Sequence, residues 1–375
     1  MRHLTRLAVG FEPVLAAFDA VLAADPTFSA QLAIYVGDEL VVDLTGGPDL
    51  GPTSLLPVYS SSKGALGIVM ALLVERGQLD LDAPVTSYWP EFGAAGKGAI
   101  TVRQLLSHQA GLASVDGGYT VAELVEHDAL ATRLAAQRPF WRPGAGHGYH
   151  AVTLGTLADE LVRRTTGRTL AEVFTKEVAE PRGLDVHLGV PAELDARVVS
   201  VDLPNSEEIA GWLATFPTAE PAPAGLVSLL EPTEGGPLYA MVDEVTYRRA
   251  GQPASGGLAT ARGLAAMYAG LRHPVGAPRL LSDDTVGEFA QLQVCGNDLV
   301  HGRETRYGVV FELPTPTLAF GSPGAFGHGG LGGSVAFHDP SADLSFGYVP
   351  KRMPGPDAPA RVVRLIMAAR GCLGA

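Results

Sequence analysis

A serine followed three residues on by a lysine, in Ser60-Ser61-Ser62-Lys63, is the first pair whose types and spacing could do chemistry. Residues three apart share a helix face, so Ser60 and Lys63 can meet while Ser61 and Ser62 point elsewhere. With 17 serines and four lysines in 375 residues, chance predicts roughly 0.2 such pairs. A serine hydroxyl is a weak nucleophile that requires a base within hydrogen-bond reach. At a helix N-terminus, free N–H groups and the macrodipole also favour developing negative charge. The plain alternative makes Ser60 an N-cap and Lys63 a solvated first-turn residue. That alternative is weakened because Lys63 enters a wholly apolar run, where an unpaired ammonium is costly to bury.

Four residues are candidates for the base: His108, Tyr149, His150 and His328. Tyr149-His150-Ala151 follows the turn Arg142-Pro143-Gly144-Ala145-Gly146 and precedes a helical pattern beginning near Val152, a place that presents side chains at a cleft. Gly327-His328-Gly329-Gly330-Leu331-Gly332-Gly333 satisfies G-x-G-x-x-G numerically. An apolar strand rather than a helix follows it, so the dinucleotide reading fails and no cofactor is expected. Glycines at a strand edge instead let a ligand approach the backbone closely. The elbow G-x-S-x-G is absent, since Gly332-Gly333-Ser334-Val335-Ala336 ends in alanine. A metal site is not expected, because His147-x-x-His150 lacks a third ligand at a recognisable spacing.

Elements must position these residues. Between Ser60 and Arg76 the apolar residues Leu66, Ile68, Val69, Met70, Leu72, Leu73 and Val74 face nearly every side, which predicts a helix buried all round and stopped at Gly77. Phe11, Leu15, Phe18 and Leu22 recur with the period of an amphipathic helix. Leu32–Val36 and Leu40–Leu44 flank Gly37-Asp38 and read as a β-hairpin. Helical patterns follow at Val102–Leu106, Val121–Leu134 and Leu154–Thr165, ending near Gly167, and residues 200–257 read as a loop-rich segment. Strand-type runs return at Tyr307–Leu313, Ser334–His338 and Leu344–Val349, before a helix at Arg361–Ala369. The predicted architecture is an α/β domain from residues 1–59 and 300–375, with a mostly helical domain at 60–299 inserted into it.

Composition sets outer limits. Hydrophobic residues make up 46% and charged residues 18% of the chain, which excludes a disordered chain. A formal charge of −13 with only four lysines gives nucleic acid or an anionic membrane nothing to bind. Cys295 and Cys372 are too few for a disulfide framework and fit a reducing compartment. Glu12, Pro13 and Asp19 interrupt any signal-like apolar stretch, and no run is long enough to span a membrane. A cytoplasmic protein is expected.

In order, Ser60-Ser61-Ser62-Lys63-Gly64, Leu72–Pro84, Val102–Leu112, Gly148-Tyr149-His150 and His328-Gly329-Gly330 resemble the serine β-lactamase-like family. The branch it is most similar to is the family VIII carboxylesterases, relatives of class C β-lactamases and D-alanyl-D-alanine carboxypeptidases. The resemblance runs from about Phe11 to Met367 and implies an antiparallel sheet flanked by terminal helices with a largely helical insert. It also implies roles. Ser60 would be acylated, Lys63 would lower the pKa of Tyr149, and Tyr149 would serve as general base and then acid. The N–H groups of Ser60 and Leu331 would form an oxyanion hole, and His328, Gly329, Gly330 and His150 would line the substrate.

Two departures from the family pattern bear on substrate. Ala151 stands where β-lactamases carry the Asn of Tyr-x-Asn, and His328-Gly329-Gly330 stands where they carry Lys-Thr-Gly. A lysine supplies a fixed charge for a substrate carboxylate, whereas histidine near neutral pH is mostly uncharged. Both changes imply neutral short-chain esters rather than β-lactams or peptidoglycan stems, hydrolysed through an acyl-Ser60 intermediate. The alternative is a transacylase that passes the acyl group to a small-molecule alcohol or amine. A non-catalytic binding protein is the remaining reading, and the intact Ser60, Lys63 and Tyr149 count against it.

Overall fold

The computed structural model describes residues 2–203, 232–316, 319–353 and 358–374. Residues 204–231 of the loop-rich segment therefore lie outside the described residues.

The hairpin forms as expected, with Ala30–Val36 and Glu39–Gly46 joined through Gly37 at φ 59°. These strands sit inside a six-stranded sheet whose order is Arg2–Leu7, Glu39–Gly46, Ala30–Val36, Leu344–Pro350, Val335–Asp339, Phe326–Gly329. Every neighbouring pair is antiparallel. The two strands at the centre, Ala30–Val36 and Leu344–Pro350, are apolar almost throughout because both faces of the sheet are covered. Leu32, Ile34, Phe346 and Tyr348 pack with Val14, Phe18, Leu365 and Ile366 of the terminal helices Glu12–Ala24 and Ala358–Gly371. Ala33 and Tyr35 point the other way, into the core shared with the helical region.

Helix Ala261–Arg272, placed with the 60–299 region on sequence, packs on that second face. Gly347 admits it: a Cβ there would lie 2.2 Å from the Ala261 carbonyl oxygen. The predicted buried helix is Lys63–Glu75, every residue from Lys63 to Leu73 being buried, and it is entered through one 3₁₀ turn at Tyr59–Ser62. The pattern Val121–Leu134 becomes two helices, Val121–Glu126 and Asp128–Ala136, broken at His127 with φ 60°. Its imidazole there meets Asp159 at 3.2 Å and Glu160 at 3.0 Å.

One strand has no counterpart in the sequence reading, and one expectation is corrected. Strand Arg2–Leu7 was not predicted; as an edge strand carrying two arginines it lacks the continuous apolar run of a central one. The run Tyr307–Leu313 is not a strand. Its strand ends at Tyr307, and Val310 takes φ 70° while its N–H donates to the Leu106 carbonyl, so the run is buried as an irregular segment. Cys295 and Cys372 are free thiols, Cys295 in the strand Val294–Asn297. Among the described residues no helix is long and apolar enough to cross a membrane.

Candidate active site

Ser60 lies in the 3₁₀ turn ahead of the buried helix, and it is the one member of the tetrad that is not fully buried. The turn is held from both sides by the serines between Ser60 and Lys63. Ser61 Oγ donates to the His328 carbonyl at 3.2 Å and lies 2.9 Å from Ser334 Oγ, tying the turn to the strand Phe326–Gly329. Ser62 Oγ donates to the Tyr59 carbonyl and accepts the Gly257 N–H at 2.9 Å. Tyr59 sits at φ 48°, a conformation that costs energy for a non-glycine residue and persists only where the surroundings impose it.

Two groups converge on the Ser60 hydroxyl. Tyr149 donates its phenol O–H to Ser60 Oγ at 2.8 Å, and Lys63 Nζ lies 3.3 Å from the same oxygen. Lys63 Nζ also donates to the carbonyls of Ala151 at 2.6 Å and Ala254 at 3.0 Å, and sits 4.8 Å from the centre of the Tyr149 ring. Complete burial lowers the Lys63 pKa to about 7, against a smaller upward pull from Glu312. Tyr149 shifts the other way: burial first, then the Glu312 carboxylate, hold its phenol above the ordinary value. The resemblance implied that Lys63 would depress Tyr149. Burial acts more strongly than either partner, lowering Lys63 and raising Tyr149, and Lys63 is not among the groups that lower the phenol.

Tyr149 is fixed by a segment that the sequence left unmarked. Asp298 Oδ1 accepts the backbone N–H of Tyr149 at 3.1 Å and those of Val300 and His301, each at 2.8 Å. His301, on the same loop, stacks on the Tyr149 ring with centroids 4.9 Å apart. His147 Nε2 meets Thr305 Oγ1 at 2.9 Å, a second tie, to the strand Glu304–Tyr307 that follows the loop.

The glycine-rich turn lies against the nucleophile's own backbone. A Cβ on Gly330 would lie 2.3 Å from the Val58 carbonyl oxygen, and one on Gly332 would lie 2.4 Å from the Tyr59 ring. The turn is closed by Gly330 N–H to Ser334 O at 2.8 Å and Gly333 N–H to Gly330 O at 2.8 Å, bonds that leave the Leu331 N–H out. His328 is buried beside Tyr149, ring centroids 6.0 Å apart. Its Nδ1 meets the Gly329 carbonyl at 2.7 Å and Glu312 Oε2 at 3.4 Å.

His150 does not line the site as expected. Its Nε2 accepts the Leu112 N–H at 2.9 Å and its Nδ1 meets the Gly148 carbonyl at 2.7 Å, so both ring nitrogens are committed to holding loops together. His108 fares similarly, its Nδ1 accepting the His150 N–H at 3.1 Å from a completely buried ring. Of the four candidate bases, Tyr149 is the one in contact with Ser60. Asp298 and Glu312 escaped sequence reasoning, since a single acidic residue has no spacing signal and gains its meaning only from what folds against it.

A serine held between a lysine and a tyrosine, beside a glycine-rich turn, is the arrangement of a serine hydrolase. The chain belongs to the Beta-lactamase family, whose model matches residues 16–369. It is 33% identical over 361 residues to the esterase/β-lactamase LipL of Mycobacterium tuberculosis, covering 92% of this chain and 82% of that protein. The structure of EstA from Arthrobacter nitroguajacolicus Rue61a superposes with a TM-score of 0.92 at 39% identity, over 99% of both chains. A family VIII carboxylesterase does so with a TM-score of 0.87 at 33% identity, over 99% of this chain and all of that one. The fold is this family's mixed α/β arrangement of an antiparallel sheet with many helices.

Proposed function

We propose that the chain hydrolyses short-chain carboxylic esters in two steps through an ester on Ser60. Its relatives are named esterases and carboxylesterases, and serine ester hydrolysis is the activity of this chain. The observation that carries the finer reading is the convergence of Lys63 Nζ at 3.3 Å and Tyr149 OH at 2.8 Å on Ser60 Oγ.

Near neutral pH a large fraction of Lys63 is uncharged, so its amine accepts the Ser60 proton as Oγ attacks the ester carbonyl. The N–H groups of Ser60 and Leu331 then face the developing oxyanion, the kind of fixed donor that strengthens only as charge builds. Tyr149 gives its proton to the departing alkoxide, and transfer from the Lys63 ammonium to the phenoxide restores both groups. Water attacks the acyl-Ser60 ester by the same route and frees the acid. An alcohol in place of water would give acyl transfer, so the partition of products with added alcohol separates the two outcomes. A cytoplasmic site of action belongs to this reading, supported by the two cysteines, which stand as free thiols.

Brief incubation with p-nitrophenyl butyrate followed by acid quench should add one butyryl mass to the peptide holding Ser60. Ser60→Ala should abolish both the adduct and turnover, since no other serine has a lysine three residues on. Unchanged turnover in that variant refutes the reading.

A further inference from the structure

The site holds a carboxylate that the ester chemistry leaves unused. Glu312 pairs through its backbone with Gly327, N–H to O at 2.8 Å and the reverse bond at 3.1 Å, which lays it beside the strand that carries His328. Its Oε2 accepts the Gly329 N–H at 2.9 Å, two residues from the Leu331 N–H. The side chain keeps 14% exposure where that of His328 keeps 1%. Its charge acts on Lys63 and Tyr149, the two groups that contact Ser60, and on Tyr268, His301 and His328.

His328 does not neutralise it. Both atoms near Nδ1, the Gly329 carbonyl and Glu312 Oε2, are acceptors, so Nδ1 carries a proton, while burial lowers the pKa of the ring. Nε2 is buried without a hydrogen-bond partner among the described residues. Where a family lysine would present a cation, this chain has a buried imidazole with a carboxylate 3.4 Å from it. Arg303, whose charge acts on Tyr149 and His301, is the competing cation. Glu312 is bonded to the backbone at Gly329, the residue that leads into the glycine-rich turn, which holds its carboxylate next to that turn.

We propose that Glu312 is the specificity-determining group: it rejects acyl esters bearing a carboxylate and favours neutral and ammonium-bearing ones. This rests on the ester-hydrolase reading above. The test compares kcat/KM for the p-nitrophenyl esters of butanoate, hemisuccinate and 4-(trimethylammonio)butanoate. The wild type should disfavour the hemisuccinate relative to the butanoate by at least about ten-fold, and raising salt to about 0.5 M should narrow the gap by screening. Glu312→Gln keeps an acceptor for the Gly329 N–H; it should bring the hemisuccinate-to-butanoate ratio toward one and remove any preference for the cation. Should that variant fail to fold, Glu312→Asp, which draws the carboxylate back from Gly329, should shift the ratio in the same direction. A ratio that neither salt nor the variant changes, or a wild type that prefers the hemisuccinate and so assigns recognition to Arg303, overturns the role of Glu312. Turnover of none of the three esters would instead remove the hydrolase reading itself.

Discussion

The Tyr149 hydroxyl donates to Ser60 Oγ at 2.8 Å across 89 residues of sequence, while Lys63, three residues from that serine, approaches the same oxygen at 3.3 Å. The near group is the one whose pKa falls and the distant group the one whose pKa rises, which is the division of labour that the proposed mechanism uses.

That division fixes the pH profile. Lys63 acts unprotonated and its pKa is lowered to about 7, so kcat/KM for a neutral ester should rise as pH increases through about 7 and level off above it. Glu312 pulls Lys63 upward, so Glu312→Gln should move this limb toward lower pH. A limb that moved upward, or none between pH 5 and 9, would contradict the assignment of Lys63 as acceptor.

Tyr149→Phe removes the proton donor and keeps the ring that stacks on His301. Its kcat should fall by roughly 10²–10⁴-fold with the melting temperature little changed. Lys63→Ala should do comparable damage, and the double variant should lose far less than the product of the two, because the groups act as a unit. Stopped-flow acylation rates on all four proteins check this.

Gly330→Ala places a methyl 2.3 Å from both the Val58 carbonyl oxygen and Ser334 Oγ, so the turn must move and take the Leu331 N–H with it. The expected loss is about 10²–10³-fold in kcat, with about 1–3 kcal/mol of stability. Gly329→Ala is the milder change, since the nearest atom to its Cβ is Glu312 Oε2 at 3.6 Å. Parallel kinetics and denaturant melts of the two variants would show whether the contrast holds.

Substrate class follows from His328 and Ala151. A β-lactam presents a carboxylate that must be desolvated, and a buried imidazole with its pKa lowered repays that less than a lysine would. p-Nitrophenyl acetate and butyrate should be cleaved with kcat/KM orders of magnitude above those for nitrocefin and benzylpenicillin at pH 7–8. β-Lactams turned over as well as esters would show that the cation is not what they need.

How much of this was legible in the sequence varies with the range of the interaction. Ser60 and Lys63 announce themselves because a helix brings i and i+3 together without help from the rest of the chain. The hairpin and the buried helix were readable for the same reason, each being a local pattern of apolar residues around a turn or a period. Tyr149 needed the family resemblance, since a lone tyrosine after a turn is more often packing than chemistry. His150 looked equally placed and proved structural, because Leu112 and Gly148 claim its two nitrogens. Tyr307–Leu313 misled because burial alone made it apolar; the backbone there serves Leu106 rather than a sheet partner. Asp298 and Glu312 were silent, as their partners lie at Tyr149 and Gly329 and no local pattern connects them.

The register that seats Leu344–Pro350 beside Ala30–Val36 joins strands more than 300 residues apart, and it has a kinetic consequence. The turn with the Leu331 N–H is continuous with the strands that follow it, so the site cannot close until the C-terminal strands have zipped onto the N-terminal hairpin. Such non-local pairing is slow, because the loop must close before the contacts reward it. During synthesis the nucleophile, its lysine and its tyrosine all emerge well before the chain can acylate. Refolding should therefore recover helical signal first and turnover last.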